Sequence, residues 1–417
     1  MSRLEPTNEA SAMQKEISAI TEQGGGTTKV EQLIQQYCPD GVEYKKLGDV
    51  CDIKGRIGFR GYTRQDLVEE ADGAITLSPS NIINQELNYE DCSYISWAKY
   101  EESPEIKVAV GDVIFTKTAS VGKTALVKYL PKEATINPQL VVLKNIQCNS
   151  AFLAYVLKTY RFQKEVAKLQ GVGSVPNISQ TSLSGITIPI PPLPVQEEIV
   201  RILDNFAELQ AELQAELQKR LQQYNYYRDK LLSFNELNRG GQSVSVEYKR
   251  LKDVLKIKNG KDYKHLNSGL IPVYGSGGIM TYVDTPMYSK PSVLIPRKGS
   301  IDKLYYVDTP FWNVDTIFYT EIDTSKVVEK YIYYALQKVH LEKLNTAGGV
   351  PSLTQGVLNE VLIPVPPLAE QQRIVDILDR FSTLTTDLTA GLPAEIEARR
   401  KQYEYYRDQL LTFKQKA

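Results

Sequence analysis

The 417 residues leave room for roughly three domains of about 150 residues each, enough for two sizeable cores with connecting helices. No apolar run nears the about 18 residues of a membrane span and the polar N-terminus lacks the apolar core of a secretory signal, so no membrane partner and a cytoplasmic setting are expected. A net charge of −1 falls well short of marking a nucleic-acid binder by charge alone, and the irregular spacing of Cys38, Cys51, Cys92 and Cys148 predicts free thiols rather than a metal site or disulfide framework.

Residues 1–28 are polar and contain Gly24-Gly25-Gly26, which predicts a mobile N-terminal extension. Within residues 29–43 a short amphipathic helix is expected over 30–37, stopped by Pro39 and Gly41. Residues 44–188 read as a globular part, with strand-like runs at 108–116 and 139–143 and a helical run over 151–169. In residues 189–243 the apolar positions are Ile199, Ile202, Phe206, Leu209, Leu213, Leu217, Leu221, Tyr224 and Leu231. Steps of three, four or seven put them in one stripe along a long helix, which Gly240-Gly241 should close. Residues 244–363 form a second globular part, opening near Tyr248. Residues 364–417 repeat the stripe at Ile374, Ile377, Phe381, Leu384, Leu388, Leu392, Ile396, Tyr403 and Leu410. There Gly391-Leu392-Pro393 should break or kink the helix, because proline removes a hydrogen bond, so the first long helix is expected to be the straighter.

The chain repeats itself. Ile188-Pro189-Ile190-Pro191-Pro192-Leu193 returns as Ile363-Pro364-Val365-Pro366-Pro367-Leu368, and the segment from Gln196 to Phe206 returns from Gln371 to Phe381, both at an offset of 175. The segment from Tyr224 to Phe234 returns from Tyr403 to Phe413 at 179, and Val42 to Leu47 returns as Val246 to Leu251 at 204. The second globular part is therefore 29 residues shorter than the first. Matching ends imply one fold used twice, and divergent middles imply that each copy touches something different. Basic residues slightly outnumber acidic ones in both parts, 17 to 15 over residues 44–188 and 15 to 11 over 248–363.

Each apolar stripe needs a partner, and two copies related by a pseudo-two-fold axis pair antiparallel. Helices of about 36 residues would span roughly 54 Å, a ruler between the globular parts. Residues 207–218 are Ala-Glu-Leu-Gln three times over, and the second helix carries one more four-residue step between Phe381 and Tyr403. Four helical residues add about 6 Å and about 40° of net rotation, against about 3.4 Å and about 36° for one DNA base pair, so a unit gained or lost would reset half-site spacing while nearly keeping phase. A plain coiled-coil stutter is the alternative.

Two variable parts, each followed by P-x-P-P-L, a QxxIVxILD-type helix and a QYxYYRDxLLxF-type ending, resemble the specificity subunit of a type I restriction-modification enzyme over about residues 29–417. The resemblance implies an α+β chain with two mixed α/β target recognition domains, 44–188 and 244–363, in pseudo-two-fold arrangement. Two long antiparallel coiled-coil helices, within 189–243 and 364–417, would separate them. It implies that each domain reads one half of a bipartite double-stranded DNA site while the helices set the spacer and dock two methyltransferase (modification) subunits. Restriction subunits join through the complex, so this chain would itself be non-catalytic. A duplicated coiled-coil adaptor that binds proteins rather than DNA is the rival reading.

The residues offer no catalytic constellation and no cofactor site. Gly122-Lys123-Thr124 looks like the tail of a phosphate-binding loop, but the required first glycine is Lys117. No [DN]-P-P-[YF] methyltransferase motif occurs, and His265 and His340, the only histidines, lack partners at metal or triad spacing. DNA contacts are therefore sought in the divergent middles. The run from Val113 to Lys117 with Ser120 and Lys123 aligns at offset 180 with Val293 to Arg297, Lys298, Ser300 and Lys303, a buried strand delivering cations and a hydroxyl as a phosphate clasp, or else a solvated hairpin. Gly277, Gly278 and Gly299 would allow close backbone approach. The loop from Gly171 to Asn177, matched by Gly348-Gly349-Val350-Pro351-Ser352, either touches DNA or only links helix to strand. Arg56, Arg60 and Arg64 in a Gly-rich stretch could reach guanine edges or be solvated loop charges. Tyr224 and Tyr403 continue the stripes, whereas Tyr226 and Tyr405 lie off them and are candidates for binding a partner subunit.

Overall fold

The computed structural model describes residues 28–56, 61–171, 175–234, 246–345, 351–386 and 391–416, with 383–386 described by their backbone alone. Two compact units emerge, Met1–Ala211 with Ala398–Ala417, and Glu212–Glu397.

In unit 1, helix Lys29–Tyr37 begins at a capping box, with Thr28 and Glu31 each satisfying the other's backbone N–H. Strand Glu43–Lys46 then pairs antiparallel with Thr187–Ile190, setting Tyr44 opposite Pro189. The motifs that repeat at the two ends of the globular part are thus the two strands of one closing ribbon. The C-terminal segment joins here: Val42 N–H donates to the Lys414 carbonyl at 2.8 Å, and Lys416 N–H to the Val42 carbonyl at 2.9 Å. Gly41 has φ +112°, and a Cβ there would lie 2.7 Å from the Lys414 oxygen, so only glycine fits.

Above the ribbon lies an antiparallel four-stranded sheet in the order Asp52–Gly55, Leu140–Lys144, Val113–Thr116, Thr124–Leu126. The strand expected over 108–116 is confined to Val113–Thr116, because Ala109 and Asp112 close a turn through Gly111 at φ +92°. The helix expected over 151–169 is two, Ser150–Lys158 and Tyr160–Lys168. Thr159, with ψ 148°, ends the first and caps the second, its hydroxyl accepting from Phe162 N–H. Phe115, Phe152, Leu153, Leu157 and Val141 fill the core with Ile199, Leu203 and Phe206 of the long helix Leu193–Leu231 and with Tyr403, Leu411 and Phe413 from the end of the chain.

Unit 2 repeats this plan. Its ribbon pairs Glu247–Arg250 with Leu362–Val365, Tyr248 opposite Pro364, and its sheet runs Leu255–Asn259, Ile317–Ile322, Ser292–Pro296, Tyr305–Val307. Even the joints are copied. The buried Gln196 amide accepts from Asn149 N–H and donates to the Pro191 carbonyl; Gln371 does the same with Val328 and Pro366. The Tyr155 hydroxyl donates to Asp204 and the Tyr334 hydroxyl to Asp379, both at 2.5 Å. Phe206 stacks on Tyr406 at 5.8 Å in unit 1, and Phe381 on Tyr227 at 5.7 Å in unit 2. Each unit therefore packs the start of one copy's helix against the end of the other's.

Most of the length difference falls in one place. The offset drops from 204 at Leu47 and Leu251 to 180 at Val113 and Val293, between the first two strands of the shared sheet. Unit 1 builds there much of a second sheet, ordered Ala134–Ile136, Gly73–Leu77, Ser93–Ser96, Leu67–Val68. Unit 2 builds a hairpin, Ser268–Gly275 with Gly278–Val283, to which Trp312–Asn313 adds a parallel strand.

Helix Leu193–Leu231 runs unbroken for 39 residues, whereas the second is two helices, Leu368–Thr386 and Leu392–Leu410. Gly391 takes φ +83°, and Pro393 sits in the first turn of the later helix, where its missing N–H costs nothing. The expected extension before Thr28, Gly240-Gly241, Leu388 and the Leu384 side chain lie outside the described residues. All four cysteines are free.

Candidate nucleic-acid interface

Strands Val113–Thr116 and Ser292–Pro296 are wholly buried, so the loop that follows each emerges at a fixed place. In unit 1 the turn is closed by Gly122 N–H to the Thr116 carbonyl and Thr116 N–H to the Lys123 carbonyl. Gly122-Lys123-Thr124 therefore lies in a strand-to-strand turn, not in the strand-to-helix turn that cradles a nucleotide phosphate.

The two loops taken separately in the sequence prove to be one object. Ala119 N–H donates to the Pro176 carbonyl at 2.9 Å and Ile178 N–H to the Lys117 carbonyl at 2.9 Å, bridging Thr118 to Asn177. In unit 2, Gly299 N–H donates to the Pro351 carbonyl at 3.0 Å and Leu353 N–H to the Arg297 carbonyl at 2.9 Å, bridging Lys298 to Ser352. The equivalent positions Ala119 and Gly299 take left-handed backbone, φ +66° and +79°. Val172, Gly173, Ser174, Gly348, Gly349 and Val350 lie outside the described residues.

Lys117 and Arg297 occupy the same place in this clasp, and each is half-buried. Burial pushes the Lys117 ammonium below the ordinary lysine range. The Arg297 guanidinium lies 5.2 Å from the centre of the Phe318 ring, and its buried Nε has no hydrogen-bond partner. Among the described residues no acidic side chain forms an ion pair with either. A half-desolvated cation without a counterion is a ready seat for an anion such as a phosphate oxygen. Ser120, Lys298 and Lys303 are exposed around it, and Ser300 is half-buried.

A family model for the type I restriction modification DNA specificity domain matches residues 39–223 and 243–398. The chain belongs to this family. It is 38% identical over 269 residues to a type I restriction enzyme specificity subunit of Escherichia coli, an alignment spanning 57% of this chain and 65% of that one. It is 35% identical over 295 residues to a putative specificity subunit of Haemophilus influenzae, spanning 64% and 72%. In fold it matches the S subunit of Mycoplasma genitalium, with TM-score 0.51 and 18% identity over 89% of this chain and 96% of that one. A chain from a structural study of complex assembly and conformational transition in a type I system matches with TM-score 0.54 and 18% identity, over 89% and 97%. Among the described residues no helix is long and apolar enough to cross a membrane.

Within this family, the remaining candidates separate. Lys123 is exposed, but its ammonium donates to the Pro79 and Ile82 carbonyls at 3.3 and 3.5 Å, tying the clasp to the neighbouring turn of unit 1. Arg56 is corrected: at 4% exposure its guanidinium donates to the Ile136 carbonyl at 3.2 Å and to Thr135, so it is neither a solvated loop charge nor a free reader of guanine. Arg60 lies outside the described residues, and Arg64 is exposed on a short turn that Thr63 and Asp66 cap. Tyr226 and Tyr405 are 59% and 60% exposed at equivalent positions, each set edge-on against the next tyrosine. The sequence reading missed Thr316, which lies outside every repeated motif. Its carbonyl accepts from Arg297 N–H at 3.0 Å, and its hydroxyl accepts from Ser276 N–H at 3.4 Å, joining the clasp to the hairpin tip of unit 2.

Proposed function

We propose that this chain is the DNA-recognition subunit of a type I restriction-modification complex, with recognition domains over residues 44–188 and 244–363 that each read one half of a bipartite duplex site. The observation that carries the reading is the clasp built twice, with Lys117 and Arg297 at the same bonded position and, among the described residues, no counterion at either. Backbone contacts of this kind position a protein on DNA, and the divergent sheets beside them supply what differs between the half-sites. In this reading the helices within 189–243 and 364–417 set the spacing, two methyltransferase subunits dock along them with Tyr226 and Tyr405 at the contact, and methyl transfer and cleavage belong to other subunits.

The test is to co-express the chain with a methyltransferase subunit of its system and map methylated adenines across the host genome. The expected result is a two-part motif with a fixed gap. One half should change when residues 44–188 are exchanged, and the gap should change when one Ala-Glu-Leu-Gln step is deleted. A stable complex that leaves no methylation would instead favour the protein-binding adaptor, whose interface would weaken far less with salt than a phosphate-bound one.

A further inference from the structure

The hairpin of unit 2 is unusual for what it shows to solvent. Residues 268–283 contain no charged side chain. Two register shifts interrupt its pairing: Val283 faces both Ser268 and Ile271, and Thr281 and Ile279 face the consecutive residues Val273 and Tyr274. The residues thrown out of register include Leu270 and Met280, which are 90% and 57% exposed, and Ile279 and Tyr282 are half exposed beside them. Bulges re-aim side chains and are kept where they serve a purpose. Here both aim large apolar groups at water.

The hairpin is held firmly while doing so. Tyr274 packs against Tyr305 and Phe311, and the Tyr305 hydroxyl donates to the Ser276 carbonyl at 3.3 Å. Thr316 fixes the tip to the clasp, and a Cβ on Gly299 would lie 3.7 Å from the Ser276 hydroxyl. An uncharged, two-stranded ribbon thus stands beside the clasp loop that carries Arg297 and Lys298.

Resting on the proposed DNA-recognition role, we infer that this ribbon enters the major groove of one half-site and that Leu270, Ile279, Met280 and Tyr282 read it through the methyl groups of thymine. The major groove admits a two-stranded ribbon, and the thymine methyl is the one apolar feature of its base edges. The cations beside the tip bind the adjoining phosphates, while the ribbon itself adds selectivity rather than charge. The hairpin beside the clasp of unit 1, Ile82–Ile83 with Glu86–Leu87, is shorter and carries the charged Glu86, in keeping with a different half-site.

The experiment uses the full chain with its methyltransferase subunit. The exposed double variant Ile279→Ser with Met280→Ser should relax one or two positions of one half-site in the methylation map and leave the other half unchanged. With the wild-type complex, replacing thymines of that half-site by uracil in a synthetic duplex should weaken binding by about fourfold for each methyl group that the ribbon covers, as expected for removing one buried methyl. The Met280→Leu variant, which keeps the apolar volume, should retain both behaviours. An unchanged motif, relaxation of both halves, or indifference to uracil overturns the inference, and so does loss of the methyltransferase subunit, which would mark the ribbon as a protein-binding surface. Should the wild-type complex itself write no two-part motif, the underlying DNA reading fails instead.

Discussion

Lys117 and Arg297 each hold a positive charge in a half-buried position, and desolvating the Lys117 ammonium costs the folded chain stability. A lysine depressed by burial carries its full cost at neutral pH and below, where it stays protonated, so Lys117→Met should leave the melting temperature there unchanged or raise it. The same substitution, or Arg297→Gln, should weaken DNA binding and lower the log–log salt slope by about 0.9, the change expected when one fewer phosphate is neutralised; fluorescence anisotropy over a salt series measures both. Gly299 makes a different demand. Its left-handed backbone predicts that Gly299→Ala costs about 1–2 kcal/mol by strain alone, since no atom crowds the new Cβ, and Ala119→Gly should recover a similar amount in unit 1; urea denaturation reads each. At this scale the sequence was partly legible. The clasp residues were visible because two copies align at offset 180. Arg56 misled because its acceptor Ile136 is 80 residues away, and no local pattern announces such a bond.

Among the elements, the closing ribbon explains why the repeats stand where they do. Ile188-Pro189-Ile190-Pro191 must extend and end in a turn, which its prolines enforce, while Gln196 fastens that turn to the helix start. Gln371→Leu should therefore destabilise unit 2 by at least about 2 kcal/mol, because Val328 N–H and the Pro366 carbonyl lose their partner inside the protein. Calorimetry of the single variant checks this, with Gln372→Leu on the exposed face as control. The periodic stripe made the long helix legible, and Pro393 located the break in its counterpart. The split at Thr159 was not legible, since a threonine followed by a good helical pattern reads equally well as helix interior. The bond between the clasp loops was invisible for another reason: three strands and two helices separate residues 119 and 176 in the chain.

At the scale of the molecule, unit 1 cannot be completed by its own first 211 residues. Tyr403, Leu411 and Phe413 are part of its core, and Lys414 and Lys416 hold Val42. Ending the chain at Glu397 should remove at least about 5 kcal/mol of apolar burial from unit 1. Hydrogen exchange should then show protection falling across Val113–Thr116 and Leu140–Lys144 while the sheet of unit 2 keeps its own. The duplication made two equivalent units evident in the sequence, and the composition of each core from both helix copies follows from the small difference between offsets 175 and 179 only once the stacks of Phe206 and Phe381 are seen.

The closing ribbon carries one more consequence, for heredity rather than stability. Because Glu43–Lys46 and Thr187–Ile190 run side by side, and Glu247–Arg250 and Leu362–Val365 do likewise, everything between each pair enters and leaves through a single doorway. A gene exchange with crossovers in these short matching stretches would replace the whole variable part of a unit while leaving its seat intact. On the proposed recognition role, a new target sequence would arise in one recombination event, without passing through a chain that fails to fold.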